Sequence, residues 1–473
     1  MAVFFQENEQ FANNTMLRSD DGQSVKYSDL TRYAKDILQV IPKRSLVFLF
    51  TNNVIGSVMS YLACIRDGIV PVLLNGKIDV DLVDNLLSIY QPGFLWMDST
   101  DSQKYGAFEE VYSEYGYSVV KTNFDKTYPL HDDLALLLTT SGSTGSPKLV
   151  RQSYTNIAAN AESIADYLEL DETERPITTL PMNYTYGLSI INSHILVGAT
   201  ILLTDKSLMQ KEFWGFFREE EATSFGGVPY NYEILEKLRF FRMELPSLRT
   251  MTQAGGKLSP ELHKKFADYA QETGKHFVVM YGQCEATARM SYLPYQKSLE
   301  KYGSMGIAIP GGKFTLIDAN GNVVQEPDVT GELVYEGPNV TLGYAECGED
   351  LIKGDERHGR LETGDMAQRD EDGFYYIVGR KKRFLKVYGN RVNLDEVERL
   401  LKTKFDYMDL ACAGTDDHMY IFVTNDEVSK EMREYIAEVT GLNPVAFQIK
   451  VIPEIPKNDS GKTRYVELEN FYN

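Results

Sequence analysis

Apolar runs short enough for strands alternate with stretches of helical length through the first 300 residues. Residues 46–50 are continuously apolar, 54–67 read as a helix, and 70–74 are apolar again, so strand, helix and strand are predicted in succession. This is an α/β pattern. After Gly303 the pieces shorten: 314–318 runs into the turn pair Asn320-Gly321, and 331–335 is another brief β-like segment, which predicts a small β subdomain. The strand-like 374–378 is followed by the basic run Gly379-Arg380-Lys381-Lys382-Arg383, and a fresh unit opens beyond it. There Asn393 is placed to cap a helix with Glu396 at its third position and Leu394, Val397, Leu400 and Leu401 on one apolar face. The chain, at 473 residues too long for a single core, is therefore read as a large domain over 1–380 and a small one over 383–473.

Composition narrows the function classes. With 43% hydrophobic and 25% charged residues the chain has a globular make-up, and no apolar stretch approaches the ~20 residues that span a bilayer, so membrane insertion is not expected. Met1-Ala2-Val3-Phe4-Phe5 runs straight into Gln6-Glu7-Asn8-Glu9 without a basic or long apolar segment, and a cytoplasmic location is expected. A net charge of −20 opposes nucleic-acid partners and means that phosphate-bearing ligands must meet locally placed cations. Cys64, Cys284, Cys347 and Cys412 form no C-x-x-C pair and indicate neither a zinc site nor a disulfide framework.

Candidate chemistry concentrates after the apolar run 134–138, where Thr139-Thr140-Ser141-Gly142-Ser143-Thr144-Gly145-Ser146-Pro147-Lys148 leaves the end of a predicted strand. Glycines let the backbone close around an anion, hydroxyl and N–H groups donate hydrogen bonds, and the lysine adds charge, so the loop suits phosphate. Gly142 and Gly145 precede Lys148 with no Ser or Thr behind it, which is not the P-loop order and disfavours an ordinary NTPase. Composition alone fits a flexible surface turn equally well.

The order of these ten residues resembles the phosphate-binding signature of the adenylate-forming superfamily of acyl-CoA synthetases, luciferases and peptide-synthetase adenylation domains. Other segments resemble that family's in the family's own order, over nearly the whole chain. They are Tyr27-Ser28-Asp29-Leu30, Gly68-Ile69-Val70-Pro71-Val72, Leu180-Pro181-Met182-Asn183-Tyr184-Thr185-Tyr186-Gly187, Gln253-Ala254-Gly255-Gly256 and Tyr281-Gly282-Gln283-Cys284-Glu285-Ala286-Thr287. Glu332, Gly343-Tyr344, Thr363-Gly364-Asp365, Gly379-Arg380, Lys386, Gly389-Asn390-Arg391 and Ser460-Gly461-Lys462 continue the series. The resemblance implies an α/β fold with a large N-terminal domain, a small β subdomain and a hinged small α+β C-terminal domain. It also implies an AMP-forming ligase, in which a carboxylate attacks the α-phosphorus of ATP, pyrophosphate leaves, and a thiol takes the acyl group from the adenylate.

On that resemblance Thr140, Ser141, Gly142, Ser143, Thr144, Gly145 and Lys148 cradle phosphate, while Ala254, Gly255, Gly256, Tyr281, Gly282, Gln283 and Cys284 line the rest of the ATP site. Asp365 accepts from the ribose hydroxyls, with Arg380 and Lys386 also at the nucleotide. Glu285 supplies a hard oxygen to Mg²⁺, and Lys462 stabilises the charge that develops in the adenylation transition state; with Thr140 these are the catalytic residues. Lys382 is the hinge, and Gly389, Asn390 and Arg391 border the path of a pantetheine arm. Cys284 stands where the family usually has threonine and is a weaker donor to the α-phosphate.

Tyr184, Tyr186, Gly187, Phe225, Gly226 and Gly227 are assigned to the acyl pocket. Asn183-Tyr184-Thr185 offers no carboxylate where amino-acid-activating relatives have aspartate, so a small-molecule aliphatic or aryl carboxylate is the expected substrate. Positive charge at Lys381, Lys382, Arg383, Lys386 and Arg391 favours free CoA as the acceptor. An acyl carrier protein, whose phosphopantetheine the same patch would dock, is the alternative. A nucleotide-binding regulator without catalysis, and luciferase-like oxidation of the adenylate, are the remaining readings.

Overall fold

The structure is a computed structural model that describes residues 9–106, 108–124, 126–139, 148–387, 390–405, 407–415, 418–440, 442–457 and 463–472. The chain divides into two compact units, residues 1–313 with 335–361 and residues 314–334 with 362–473. The architecture is mixed α/β, as expected from the alternating pattern. Among the described residues no helix is long and apolar enough to cross a membrane.

Two large mixed sheets organise the first unit. In one, Phe94–Asp98, Leu46–Thr51, Val70–Asn75 and Leu134–Thr139 lie side by side and parallel, with antiparallel strands beyond them on both sides. Their residues alternate between two cores: Val47 and Leu49 join one apolar cluster, Phe48 and Phe50 the other. Both faces are covered, which is why these strands read as unbroken apolar runs rather than alternating ones. The helix between Leu46–Thr51 and Val70–Asn75 is Ile55–Asp67, ended by Gly68 in the left-handed conformation (φ 76°).

In the other sheet Thr15–Ser19, Ile201–Leu203, Pro176–Ile177, Ser224–Gly227, Thr250–Gln253 and His276–Tyr281 run parallel in that spatial order. The last three deliver Gly227, Gln253 and Tyr281 to one sheet end, the carboxyl edge where open α/β sheets bind ligands.

The second unit contains most of a four-stranded sheet ordered Lys313–Ile317, Gly331–Glu336, Arg360–Arg369, Tyr375–Arg380. A hairpin follows, Phe384–Val387 with Asn390–Asn393, and then the three-stranded sheet Leu410–Thr415, His418–Val423, Phe447–Val451. Helix Leu394–Lys404 starts where the cap residue predicts: the Asn393 side chain accepts from the Asp395 N–H at 3.0 Å, and Leu394, Val397 and Leu401 are buried. Glu396 pairs with Arg399, at 2.5 Å. The boundary read from sequence near 380–383 falls inside this unit. The Asn393 amide donates to the Val378 carbonyl at 2.7 Å and the Arg380 N–H to Asp395 at 3.2 Å, which ties the strand before the basic run to the helix after it.

Candidate active site

Thr140, Ser141, Gly142, Ser143, Thr144, Gly145, Gly389 and Lys462 lie outside the described residues. What is described is their setting. Leu134–Thr139 and Leu149–Ser153 pair antiparallel with Thr139 opposite Leu149, so the two strands that flank the segment assigned to phosphate form one ladder. Arg151, three residues after Lys148, is fully buried in that ladder and clamps the segment 342–356. Its guanidinium pairs with Glu356 and donates to the carbonyls of Leu342, Tyr344, Lys353 and Gly354.

Tyr344, carried by that clamped segment, is the centre of a charged cluster. Its hydroxyl donates to Glu285 Oε1 at 2.7 Å, Lys148 Nζ stands 3.7 Å from its ring centre, and the Arg357 guanidinium carbon stands 4.8 Å away. Burial first, and the neighbouring Glu285 charge second, push the Tyr344 hydroxyl up to about 12, so it remains a donor at neutral pH. An open cleft of about 420 Å³ adjoins it, lined by Gly343, Glu346, Asp350, Lys353, Glu356 and Arg357.

Glu285 sits in a tight turn, Cys284–Ala286, that leaves the end of strand His276–Tyr281. The turn is held by residues the sequence did not single out. Thr341 donates twice to the Glu285 carbonyl, from its N–H at 3.0 Å and its hydroxyl at 2.9 Å, and the Asn339 amide donates to the carbonyls of Ala286 and Arg289. Thr287 takes φ 65°, rare for a β-branched residue, and is secured by its hydroxyl bond to the Asn339 carbonyl at 2.7 Å. Gly282 is obligatory, because a Cβ there would stand 1.7 Å from the Ala288 carbonyl oxygen. Gln283 donates to the Tyr281 hydroxyl at 3.1 Å, and the buried Cys284 thiol lies 3.4 Å from the Thr185 hydroxyl.

The residues assigned to the acyl pocket fall into two groups. Tyr184 and Tyr186 meet edge to face, with ring centres 6.4 Å apart, and belong to one apolar cluster with Val228, Ala254 and Met280. Gly226 faces them, since a Cβ there would come within 2.9 Å of the Tyr186 hydroxyl, and a Cβ on Gly255 (φ 84°) would meet the Tyr184 hydroxyl at 2.4 Å. Gly187 is needed for its close approach to the Pro181 carbonyl, and Gly256 packs near Pro229. Phe225 is a correction. Strand alternation turns it to the opposite face, with Gly227, where its ring joins Tyr232 and Phe240 in an aromatic core rather than the tyrosine pair.

In the second unit Asp365 is buried and paired across the strands with Arg380 at 3.4 Å, and Glu332 with Lys381 at 2.6 Å. Lys382 is exposed. The strands place Lys386 opposite Arg391 and Val387 opposite Asn390. The basic patch expected here is smaller than its sequence. Arg383 is buried against Asp395, Glu398 and the Tyr465 ring, and Lys381 is neutralised by Glu332, because tertiary packing supplies the counter-ions that a local run of lysines and arginines does not show. Among the described residues no group of three or more His, Cys, Asp or Glu could hold a metal ion.

The AMP-binding enzyme family model matches residues 4–345, and the chain belongs to that family. Peroxisomal OPC-8:0-CoA ligase 1 of Arabidopsis thaliana is 30% identical over 348 residues; the match covers 70% of this chain and spans 63% of that enzyme's length. The 2-succinylbenzoate–CoA ligase of Bacillus subtilis is 25% identical over 475 residues, covering 95% of this chain and 94% of the relative. The solved o-succinylbenzoate CoA synthetase of Bacillus subtilis in complex with ATP and magnesium superposes with a TM-score of 0.77 at 24% identity, over 98% of each chain. That likeness carries the fold.

Proposed function

We propose that the protein activates a carboxylic acid with ATP and passes the acyl group to the thiol of CoA. A carboxylate oxygen bonds to the α-phosphorus as the bond to pyrophosphate breaks; the CoA sulfur then bonds to the acyl carbon and AMP departs. The observation that carries this reading is the Glu285–Tyr344–Lys148 cluster beside the segment assigned to phosphate, where a carboxylate and a lysine converge on one half-buried tyrosine. Glu285 fits a magnesium ion, which commonly takes one or two protein carboxylates and fills its remaining positions with water and substrate phosphate, so the absence of a larger acidic cluster among the described residues is in keeping. When bound there the ion would neutralise charge on the leaving pyrophosphate.

Tyr344 keeps Glu285 aimed by its hydrogen bond, and Lys148, which also pairs with Glu346 at 3.7 Å, brings positive charge over the same ring. Tyr281 presents a ring for adenine, Asp365 accepts from ribose, Tyr184 and Tyr186 bound the acyl group, and Lys462 stabilises the adenylation transition state. Lys382 serves as the hinge about which residues 383–473 turn, a motion that opens the Asn393–Val378 and Arg380–Asp395 bonds, with Gly389 at the pantetheine path in the second step. The names of the relatives support CoA as the acceptor.

Mass spectrometry of products from ATP, Mg²⁺ and a pool of carboxylic acids, with and without CoA, tests the reading. Acyl-CoA is the expected product; acyl-AMP accumulating equally with and without CoA would assign the acceptor to a carrier protein instead. Lys462→Ala should slow acyl-adenylate formation by ~10²–10³-fold while sparing thioester formation from supplied adenylate. Equal loss of both steps would refute the role given to Lys462.

A further inference from the structure

Arg289 closes the same loop that carries Glu285 and is 2% exposed. Its Nε donates to the Ser189 hydroxyl at 3.0 Å, and Nη1 donates to the Tyr167 hydroxyl at 3.1 Å and the Met280 sulfur at 3.4 Å. Its guanidinium carbon stands 5.1 Å from the centre of the Tyr186 ring. Every one of these partners is neutral. Two other buried arginines differ: Arg151 is paired with Glu356, and Arg383 with Asp395 and Glu398. No carboxylate of the described residues pairs with Arg289. His194, close enough to feel the Arg289 charge, is buried and held neutral chiefly by desolvation, so it adds no second positive charge and no counter-ion. A buried guanidinium without a counter-ion is costly unless something else brings the negative charge.

Its surroundings say where that charge enters. Tyr186 and Met280 belong to the apolar cluster with Tyr184, Val228 and Ala254 that forms the candidate acyl pocket, so Arg289 borders the pocket. We propose that Arg289 is a specificity-determining residue that binds a second anionic group on the acid being activated, so that the preferred substrates are dicarboxylic acids rather than monocarboxylic ones. This rests on the ligase reading above. Arginine suits the task because its planar donor set matches a carboxylate and it stays charged when buried.

The test is acid-dependent ATP–pyrophosphate exchange by the full-length enzyme with Mg²⁺, run on aliphatic and aryl dicarboxylates and on the monocarboxylates of the same skeletons. The wild type should show kcat/KM higher for the dicarboxylate of a matched pair by on the order of 100-fold. Arg289→Met should erase that ratio, and Arg289→Lys should restore part of it, a pattern that a merely structural arginine would not produce. A wild-type preference for monocarboxylates overturns the proposal while leaving the ligase reading intact, and does so even if the methionine variant fails to fold. Equal losses on both series in a folded Arg289→Met variant overturn it as well. Absence of exchange with every acid overturns the ligase reading, and the proposal with it.

Discussion

Glu285 and Asp365, the two carboxylates assigned to the nucleotide, are held in opposite ways. Glu285 is set by hydrogen-bond donors: its turn is fastened by the buried Thr341 and Asn339, and its carboxylate is aimed by the half-buried Tyr344 hydroxyl. Asp365 is set by a cross-strand cation, Arg380, whose side chain is 67% exposed. A frame of buried hydrogen bonds resists rearrangement because each broken bond leaves an unsatisfied group, whereas an ion pair with one partner in solvent can move its cation while the buried acid still needs a partner. The first unit thus holds its acid through hydrogen-bond donors, and the second sets its buried acid beside a cation that itself reaches solvent.

Removing the acid itself should have the largest effect on that contrast. Glu285→Gln keeps the shape and loses the charge, and ATP–pyrophosphate exchange should fall by roughly 10²–10³-fold. Exchange reduced less than tenfold would remove Glu285 from the metal role. Tyr344→Phe deletes one bond to a charged acceptor and should reduce exchange by ~10–100-fold with the fold retained, as circular dichroism would verify.

Acid should separate the two units next. His194 and His263, both in the first unit, are lowered to about 4 by burial, from an unfolded value of 6.5. His263 takes the Gly303 N–H on Nδ1 at 3.1 Å, so protonation there would break that bond. Because the folded pKa lies below the unfolded one, this stability is complete above pH 6.5 and is lost as pH falls toward 4, up to about 3 kcal/mol for each histidine. Trp96 and Trp214, also in the first unit, should report the loss by fluorescence between pH 6.5 and 4, and an unchanged urea midpoint across that range would contradict it. The smallest effect belongs to the half-exposed pair: Arg380→Ala leaves the buried Asp365 carboxylate without its cross-strand cation and should lower unfolding free energy by about 1–2 kcal/mol, measured by urea denaturation. No measurable loss would show that Asp365 does not depend on Arg380.

Much of the fold was legible because it rests on local pattern. Residues 46–50, 54–67 and 70–74 became Leu46–Thr51, Ile55–Asp67 and Val70–Asn75, since unbroken apolar runs between turn signals leave few alternatives, and Asn393 capped its helix because the capping bond spans only two residues. Phe225 was misassigned because a four-residue strand, Ser224–Gly227, carries too little pattern to say which face meets the pocket. The basic run at 380–383 promised surface charge that Arg383 does not deliver, its counter-ions lying twelve and fifteen residues away.

The residue types at the site, and the order that marks an AMP-binding enzyme, were determined by the sequence alone, because loop chemistry and capping depend on neighbours in the chain. Tertiary structure alone decided which side chains support them. Thr341 and Asn339 reach Glu285 and its turn across more than fifty residues, and Arg289 reveals its missing counter-ion only when the strand end beside it and the two helices bearing Ser189 and Tyr167 are packed around it. Burial, charge balance and face are properties of packing, which no local stretch of sequence encodes by itself.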